Sequence, residues 1–230
     1  MSRTAADGLV LINEKDNMIS ALEINSETDF VAKNKDFINF CKEISEINFK
    51  NKGDLKKTII SKMINNKTVE ESLVNLISKI GEKITIRRSK FFDNNGKNFS
   101  YVHNSLEKNI GKVLSVVKLE SSNSESIQNI GPKIAMHIAA SSPLAIDKSG
   151  INKNILDKEL EIIKEELKNS GKKEDMIDKI SQGKLNKFVS DNTLLNQIWI
   201  MDTKKKVKDV LGKEIKVIDF VRFKVGEGVE

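Results

Sequence analysis

The spacing of apolar residues changes near residue 28, and this change limits what the start of the chain can form. Before it, two short apolar runs at residues 8–13 and 18–25 flank a polar segment that suits a hairpin turn. After it, apolar residues recur at the intervals of an amphipathic helix. The helical set is Phe30, Phe37, Ile38, Cys41, Ile44 and Ile47. A β-hairpin followed directly by a helix is therefore predicted.

The junction between hairpin and helix carries the run Thr28-Asp29-Phe30-Val31. Thr and Asp are favoured at helix N-caps because their side-chain oxygens accept hydrogen bonds from the first free backbone N–H groups. The residue types alone therefore favour Thr28 or Asp29 as the cap. They also favour Phe30 as a core residue at the start of the helix.

Strand and helix patterns alternate further along the chain. Thr68 and Glu71 form the pattern of a capping box, Gly81 is placed to end that helix, and residues 83–88 alternate like a strand. The same reasoning predicts strands at 111–119 and 215–225, and helices at 124–140, 154–169, 174–188 and 203–211. Gly171 between two of these helices indicates an antiparallel helical hairpin.

The predicted fold class is therefore α+β, with two related subdomains of antiparallel strands packed on helices and a helical-hairpin insertion. Residues 1–95 are assigned to the N-terminal subdomain. Residues 96–150 together with 189–230 are assigned to the C-terminal subdomain, and residues 151–188 to the hairpin.

The charge pattern favours a solvated surface over a nucleic-acid site. The chain has 39 basic and 33 acidic residues and a net charge of +6, which raises the expectation of an acidic or nucleic-acid partner. However, the two signs interleave, and the densest basic run is only Lys204-Lys205-Lys206. Direct binding of nucleic acid is not expected. It remains the main alternative, and it predicts RNA binding that weakens steeply with salt.

Nothing in the sequence indicates a membrane or an oxidising compartment. No apolar run approaches the ~20 residues of a membrane-spanning helix, and the start lacks a basic segment followed by an apolar one. The single cysteine, Cys41, excludes an internal disulfide and suits a reducing compartment. No membrane partner is expected, and a cytoplasmic location is predicted.

Motifs for catalysis or metal binding are missing. A phosphate-binding loop, a nucleophile elbow and the paired His or Cys spacings of a zinc site are all absent, and the two histidines are His103 and His137. Without further information the chain is best interpreted as a non-enzymatic α+β binding protein. An enzyme is a second alternative, but no discrete feature supports it.

The chain resembles the elongation factor Ts family. The run from Glu23 to Asn34, which contains Thr28-Asp29-Phe30-Val31, is the most specific match. Further matches occur, in the same order as in the family, at residues 5–10, 79–84, 134–141 and 220–228. The similarity covers essentially the whole chain.

The resemblance implies a guanine nucleotide exchange factor for elongation factor Tu, with no bond-making chemistry, no metal and no cofactor of its own. It implies that Thr28, Asp29, Phe30 and Val31 form the partner-binding segment. In the family, the Asp and Phe intrude into the GTPase and displace its Mg²⁺, so that GDP leaves. His137 is a candidate for a second contact, and residues 151–188 resemble the family's coiled-coil insertion.

One difference from the family concerns the N-terminus. The family carries a small helical domain before the segment at which this sequence begins. Because that domain helps to bind the GTPase, we expect weaker exchange than from a factor that contains it. Equal activity with and without an added helical module would contradict this expectation.

Overall fold

The N-terminal hairpin forms as the sequence predicts. The computed structural model of the chain describes residues 4–229, apart from the side chains at positions 124 and 175. Strands β1 (Asp7–Lys15) and β2 (Met18–Ser26) pair antiparallel along their full length. Asp16 and Asn17 form the turn with φ of 52° and 62°, a left-handed conformation that these residue types tolerate.

Four helices follow the hairpin. They are α1 (Asp29–Ala32), α2 (Lys35–Lys50), α3 (Leu55–Ile60) and α4 (Val69–Ile80). The predicted capping box of Thr68 and Glu71 starts α4, and Gly81 with φ of 81° ends it. The single helix predicted from Phe30 onwards is wrong, because α1 and α2 are separate helices.

The remaining strands and helices complete the chain. They are β3 (Ile84–Phe92), β4 (Lys97–His103), β5 (Ile110–Gly111), β6 (Val113–Ser121), α5 (Ser124–Ser141), α6 (Lys153–Asn169), α7 (Glu174–Asn192), α8 (Val207–Leu211) and β7 (Ile215–Lys224). The helix predicted from residue 203 begins later, at Val207, and β3 extends beyond the predicted residue 88.

The fold class is α+β, as predicted, because the described residues mix helices with antiparallel sheets. The chain divides into two compact units, Met1–Ala139 with Val217–Glu230, and Ala140–Lys216. The predicted division into subdomains stays a prediction. It assigns residues 1–95 to the N-terminal subdomain, residues 96–150 with 189–230 to the C-terminal subdomain, and residues 151–188 to the inserted hairpin.

The first unit contains two sheets, with strand orders β3-β2-β1-β5 and β4-β6-β7. Strand β1 is buried on both faces, so its side chains do not alternate between core and solvent. Leu9 and Leu11 join the cluster formed with α2, whereas Val10 and Ile12 join Leu114 and other residues of the second sheet. This central hairpin is therefore a rigid support for whatever follows β2.

A buried ionic cluster connects the central strand to the C-terminal segment of the same unit. The carboxylate of Glu23 is fully buried and accepts hydrogen bonds from Arg87 Nη1 at 2.9 Å and Arg88 Nε at 2.5 Å. The backbone N–H of Gly226 donates to the same carboxylate at 2.9 Å. A buried charge is tolerated only when it is paired and hydrogen-bonded, so this cluster constrains how the C-terminal segment lies on β2 and β3.

The second unit contains the predicted pair of long helices. Ile163 and Leu167 of α6 pack against Ile177 of α7, and Gly171 with φ of 72° lies in the short connection between them. The helices are confirmed. Their identity as a coiled-coil insertion stays a prediction.

Candidate partner-binding site

Helix α1 presents a phenylalanine to solvent directly after β2. The helix has four residues, and two of them, Val31 and Ala32, are buried in the cluster that α2 and the central strands form. Phe30 points away from this cluster and is 80% exposed. Its interpretation as a core residue is therefore wrong, and the outward orientation that the family resemblance requires is present.

An exposed phenylalanine in this position calls for an explanation. Single apolar residues on a protein surface are common. Phe30 differs because its neighbours on both sides are held in place: Thr28 bonds to Glu82, and Val31 and Ala32 are buried. The backbone that carries the ring is therefore fixed. A ring held in this way loses little conformational freedom when a partner covers it, and large aromatic side chains supply much of the binding energy at protein interfaces.

Thr28 occupies the N-cap position of α1, but its side chain does not cap the helix. Its hydroxyl donates instead to the Glu82 carboxylate, and Thr28 Oγ1 lies 2.8 Å from Oε1 and 3.1 Å from Oε2. Its backbone N–H also donates to Glu82, at 3.1 Å. The prediction of Thr28 as a cap is thus correct in position and wrong in bonding, because a charged acceptor from another part of the chain takes the hydroxyl.

Asp29 is the first residue of α1 and not its cap. Its carboxylate forms an ion pair of 2.8 Å with Lys33, one helical turn later, and the Lys33 side chain is 63% exposed and the Asp29 side chain 46% exposed. The hydrogen bond from Lys33 and the positive charge of its ammonium group lower the pKa of Asp29. Asp29 is therefore negatively charged at neutral pH and lies next to the exposed ring, where a partner can reach both.

The four residues of the predicted segment thus divide into two groups. Phe30 and Asp29 face solvent, whereas Val31 is 6% exposed and Thr28 is engaged with Glu82. The first two are available to a partner, and the other two hold the turn in place. Sequence reasoning assigned all four to contact and did not separate these roles.

His137, the second candidate contact, lies on α5 and is completely buried. A buried imidazole offers no surface to a partner in this conformation. The neighbouring Met136 on the same helix is 37% exposed. A direct contact through His137 therefore stays a prediction that needs a local rearrangement. The other histidine, His103, is exposed.

Glu82 and Glu27 are residues of the site that sequence reasoning missed. Glu82 holds Thr28 as described, and the carboxylate of Glu27 accepts a hydrogen bond of 3.0 Å from the backbone N–H of Lys83. The segment 79–84 carried a signal, since it matched the family, but the sequence did not show that it lies beside Thr28. The two positions are 54 residues apart in the chain.

Outside the α1 turn, the described residues contain few groups that could act as a nucleophile or bind a metal ion. Cys41 is fully buried, and desolvation raises the pKa of its thiol well above the usual range, so it packs as an apolar residue. Among the side chains that the structure describes, no three of His, Cys, Asp or Glu lie close enough to hold a metal ion. None of the described helices combines the length and apolar character needed to cross a bilayer.

Comparisons with known proteins agree with the resemblance seen in the motifs. The sequence pattern of the family Elongation factor TS matches residues 27–227, which includes the α1 turn. Elongation factor Ts of Gluconobacter oxydans is 36% identical over 231 residues, covering 99% of this chain and 76% of that protein. Elongation factor Ts of Nitrobacter hamburgensis is 38% identical over 237 residues, and that of Rickettsia bellii is 36% identical over 238 residues. Each alignment covers 99% of this chain and 77% of the relative.

These identities extend over nearly the whole chain and do not depend on one motif. They cover the strands and helices of both compact units, and they include the segment that displays Phe30. The chain belongs to the elongation factor Ts family.

Proposed function

We propose that this chain is a guanine nucleotide exchange factor for elongation factor Tu. It binds the GDP-bound GTPase and promotes release of GDP during translation elongation, in the cytoplasm. The observation that carries the proposal is the 80% exposed Phe30 on a held turn, in a chain of the elongation factor Ts family. The proposed partner is a protein, and no nucleic acid, membrane or cofactor takes part.

The proposed activity is non-enzymatic, because nucleotide exchange makes and breaks no covalent bond. It requires that the factor bind the nucleotide-free GTPase more tightly than the GDP-bound form. By linkage, the factor then weakens GDP binding by the same ratio by which GDP weakens binding of the factor. The residues needed are those of a rigid interface, and the α1 turn supplies them.

Phe30 acts in this proposal as a wedge. Its ring inserts between side chains of the GTPase domain and displaces them from the arrangement that holds Mg²⁺ and the GDP phosphates. Mg²⁺ neutralises phosphate charge, so displacing the ion weakens GDP binding strongly. Asp29 contributes a negative charge beside the ring, whereas Thr28 and Val31 hold the turn.

The second half of the chain supplies additional contacts in this proposal. The helical pair α6 and α7 is a candidate for one of them. Contact through His137 stays a prediction, because the side chain is buried until α5 or its surroundings move. The α1 turn is the part of the proposal that can be tested first.

The test is release of a fluorescent GDP analogue from purified elongation factor Tu. We expect the wild-type chain to accelerate release when it is mixed in excess. Phe30→Ala is expected to lower the observed rate by about thirtyfold, because truncation of an aromatic anchor costs about 2 kcal/mol or more.

Ile64→Ala is the matched control, because Ile64 is 87% exposed in the same compact unit. It is expected to release GDP at the wild-type rate. Absence of acceleration by the wild-type chain would refute the exchange function. Unimpaired exchange by Phe30→Ala would refute the wedge and leave the exchange function standing.

A further inference from the structure

We propose that Glu82 is a positioning residue that fixes the Phe30-bearing turn. This proposal rests on the exchange function proposed above. Two donors of Thr28 carry it: the hydroxyl shares its one hydrogen between the two carboxylate oxygens of Glu82, and the backbone N–H donates to one of them. Phe30 follows Thr28 by two residues, so these bonds act on the base of the wedge.

The contact between the two segments is reciprocal. Glu82 reaches from the connection after α4 to Thr28, and Glu27 reaches back to the backbone N–H of Lys83 at 3.0 Å. The Ser26 hydroxyl also donates to the carbonyl oxygen of Thr28 at 3.0 Å. The connection after α4 and the segment before α1 are therefore joined by two carboxylates in opposite directions, which fixes their register.

Helix α1 needs such external support. A helix of four residues is far below the length at which isolated helices are stable, and its N-cap side chain provides no cap bond. Phe30 itself cannot hold the turn, because most of its ring is in solvent. Val31 and Ala32 anchor the C-terminal side of the turn in the core, which leaves the N-terminal side to the bonds that Thr28 makes with Glu82 and Ser26.

Helix α4 is a suitable carrier for the positioning group. Its N-terminus is closed by the capping box, Gly81 ends it in the left-handed conformation, and Ile77 and Ile80 pack against the core of the unit. Glu82 follows immediately and is half-buried. A charged acceptor that is partly shielded from water and fixed by a capped helix makes stronger hydrogen bonds than a freely solvated one.

The test is a double-mutant cycle of Glu82→Ala with Phe30→Ala, read by the rate of GDP release from elongation factor Tu. If Glu82 acts through the position of Phe30, Glu82→Ala lowers the rate about tenfold in the wild-type background. The same substitution changes the rate less than twofold when Phe30 is already alanine. Equal losses in both backgrounds would overturn the proposal, because they indicate a general loss of structure.

Two further variants separate positioning from charge. Gln in place of Glu82 keeps one acceptor for the Thr28 N–H and one group that can bond the hydroxyl, so Glu82→Gln is expected to stay within about threefold of the wild-type rate. If Glu82→Gln loses as much activity as Glu82→Ala while its Thr28 amide stays as protected from hydrogen exchange as in the wild type, the negative charge acts by itself and positioning is refuted. Glu70→Ala removes an exposed carboxylate from the first turn of α4 and is the control, with no expected loss.

Hydrogen exchange of the free protein tests the contact without the partner. The Thr28 amide is expected to exchange at least about tenfold faster in Glu82→Ala than in the wild type, because it loses its acceptor. Unchanged protection overturns the positioning role, whatever the GDP-release assay shows. If the wild-type chain does not release GDP, the exchange function fails, and this measurement still decides whether Glu82 holds the turn.

If Glu82→Ala does not fold, Thr28→Val serves in the same cycle. It removes the hydroxyl from the other side of the contact and keeps the side-chain shape. The expected and contradicting outcomes are the same: a loss that depends on Phe30 supports the proposal, and a loss independent of Phe30 overturns it.

Discussion

Helices α1 and α2 use the same kind of residue in opposite ways. Phe30 on α1 and Phe37 on α2 are seven residues apart and belong to one apolar pattern in the sequence. In the structure, Phe30 is 80% exposed and Phe37 is completely buried. The difference shows that the pattern identified a helical region correctly but did not determine which of its apolar residues enter the core.

The physical cause lies between the two helices. Asn34 is in an extended conformation, and its side-chain oxygen accepts hydrogen bonds from the backbone N–H groups of Asp36 and Phe37. This N-cap starts α2 as a new helix with its own axis. The residues of α1 therefore do not share the face of α2, and Phe30 is free to point into solvent.

The comparison indicates where function departs from folding. Natural sequences follow local rules of burial and capping in most places, and departures concentrate at functional sites. Phe37 follows the rule and Phe30 departs from it, within one stretch of the chain. The same Phe→Ala substitution in each helix will therefore show whether Phe37 serves stability and Phe30 does not.

The largest expected effect is the loss of stability in Phe37→Ala. Removing a buried phenylalanine leaves a cavity and lowers the free energy of unfolding by about 3–5 kcal/mol. Phe30→Ala removes an exposed ring and is expected to change that free energy by less than about 0.5 kcal/mol. Urea denaturation of both variants measures the contrast, and similar losses in the two would contradict the division between core and surface.

A smaller effect is expected from Asn34→Ala. Loss of the N-cap of α2 lowers the free energy of unfolding by about 1 kcal/mol, because the N–H groups of Asp36 and Phe37 lose their acceptor. Asn34→Asp keeps a capping oxygen and is the matched control. Both variants are measured by urea denaturation. Equal losses of unfolding free energy in Asn34→Ala and Asn34→Asp would show that the capping oxygen does not stabilise α2.

The smallest effect concerns the ion pair of Asp29 with Lys33. The hydrogen bond and charge of Lys33 lower the pKa of Asp29 in the folded state. The ion pair therefore stabilises the folded chain at pH values above the ordinary carboxyl pKa of 3.8, and this stabilisation is lost as the pH falls through the lowered pKa. Lys33→Gln is therefore expected to raise the pKa of Asp29. The shift is measured by NMR titration of the carboxyl carbon.

Lys35→Gln is the control for that titration, since Lys35 is an exposed lysine two residues further along. It removes the same charge from α2 and is expected to leave the pKa of Asp29 unchanged. A shift of equal size in Lys33→Gln and Lys35→Gln would show that general charge, and not the one-turn pair on α1, lowers the pKa.

Much of the architecture was predictable because its signals are local. The hairpin turn at Asp16 and Asn17, the capping box of α4 and its end at Gly81 each depend on residues close together in the chain. The two long helices of the second unit were predictable for the same reason. The predicted start of α8 was wrong because residues 203–206 are all polar, and the apolar spacing of this five-residue helix begins only at Val207.

The candidate site was predictable only in part. Its location came from the Thr28-Asp29-Phe30-Val31 run and the family resemblance. The cap assignment of Asp29 and the core assignment of Phe30 were wrong on the residues alone. Phe30 was misplaced because a local pattern treats residues 29–47 as a single helix, and the cap at Asn34 divides it. Asp29 was misassigned because α1 already begins at Asp29, which leaves the N-cap position to Thr28.

Local sequence patterns were enough to predict most strands and helices in their order, the α+β class and the family, because periodicity, capping and motifs involve residues that are close together in the chain. Tertiary structure alone decided that Phe30 faces solvent, that His137 is buried and that Thr28 bonds to Glu82. These outcomes depend on residues brought together from distant parts of the chain. Local sequence patterns do not predict these contacts, because they form only when the sheet and helices have packed.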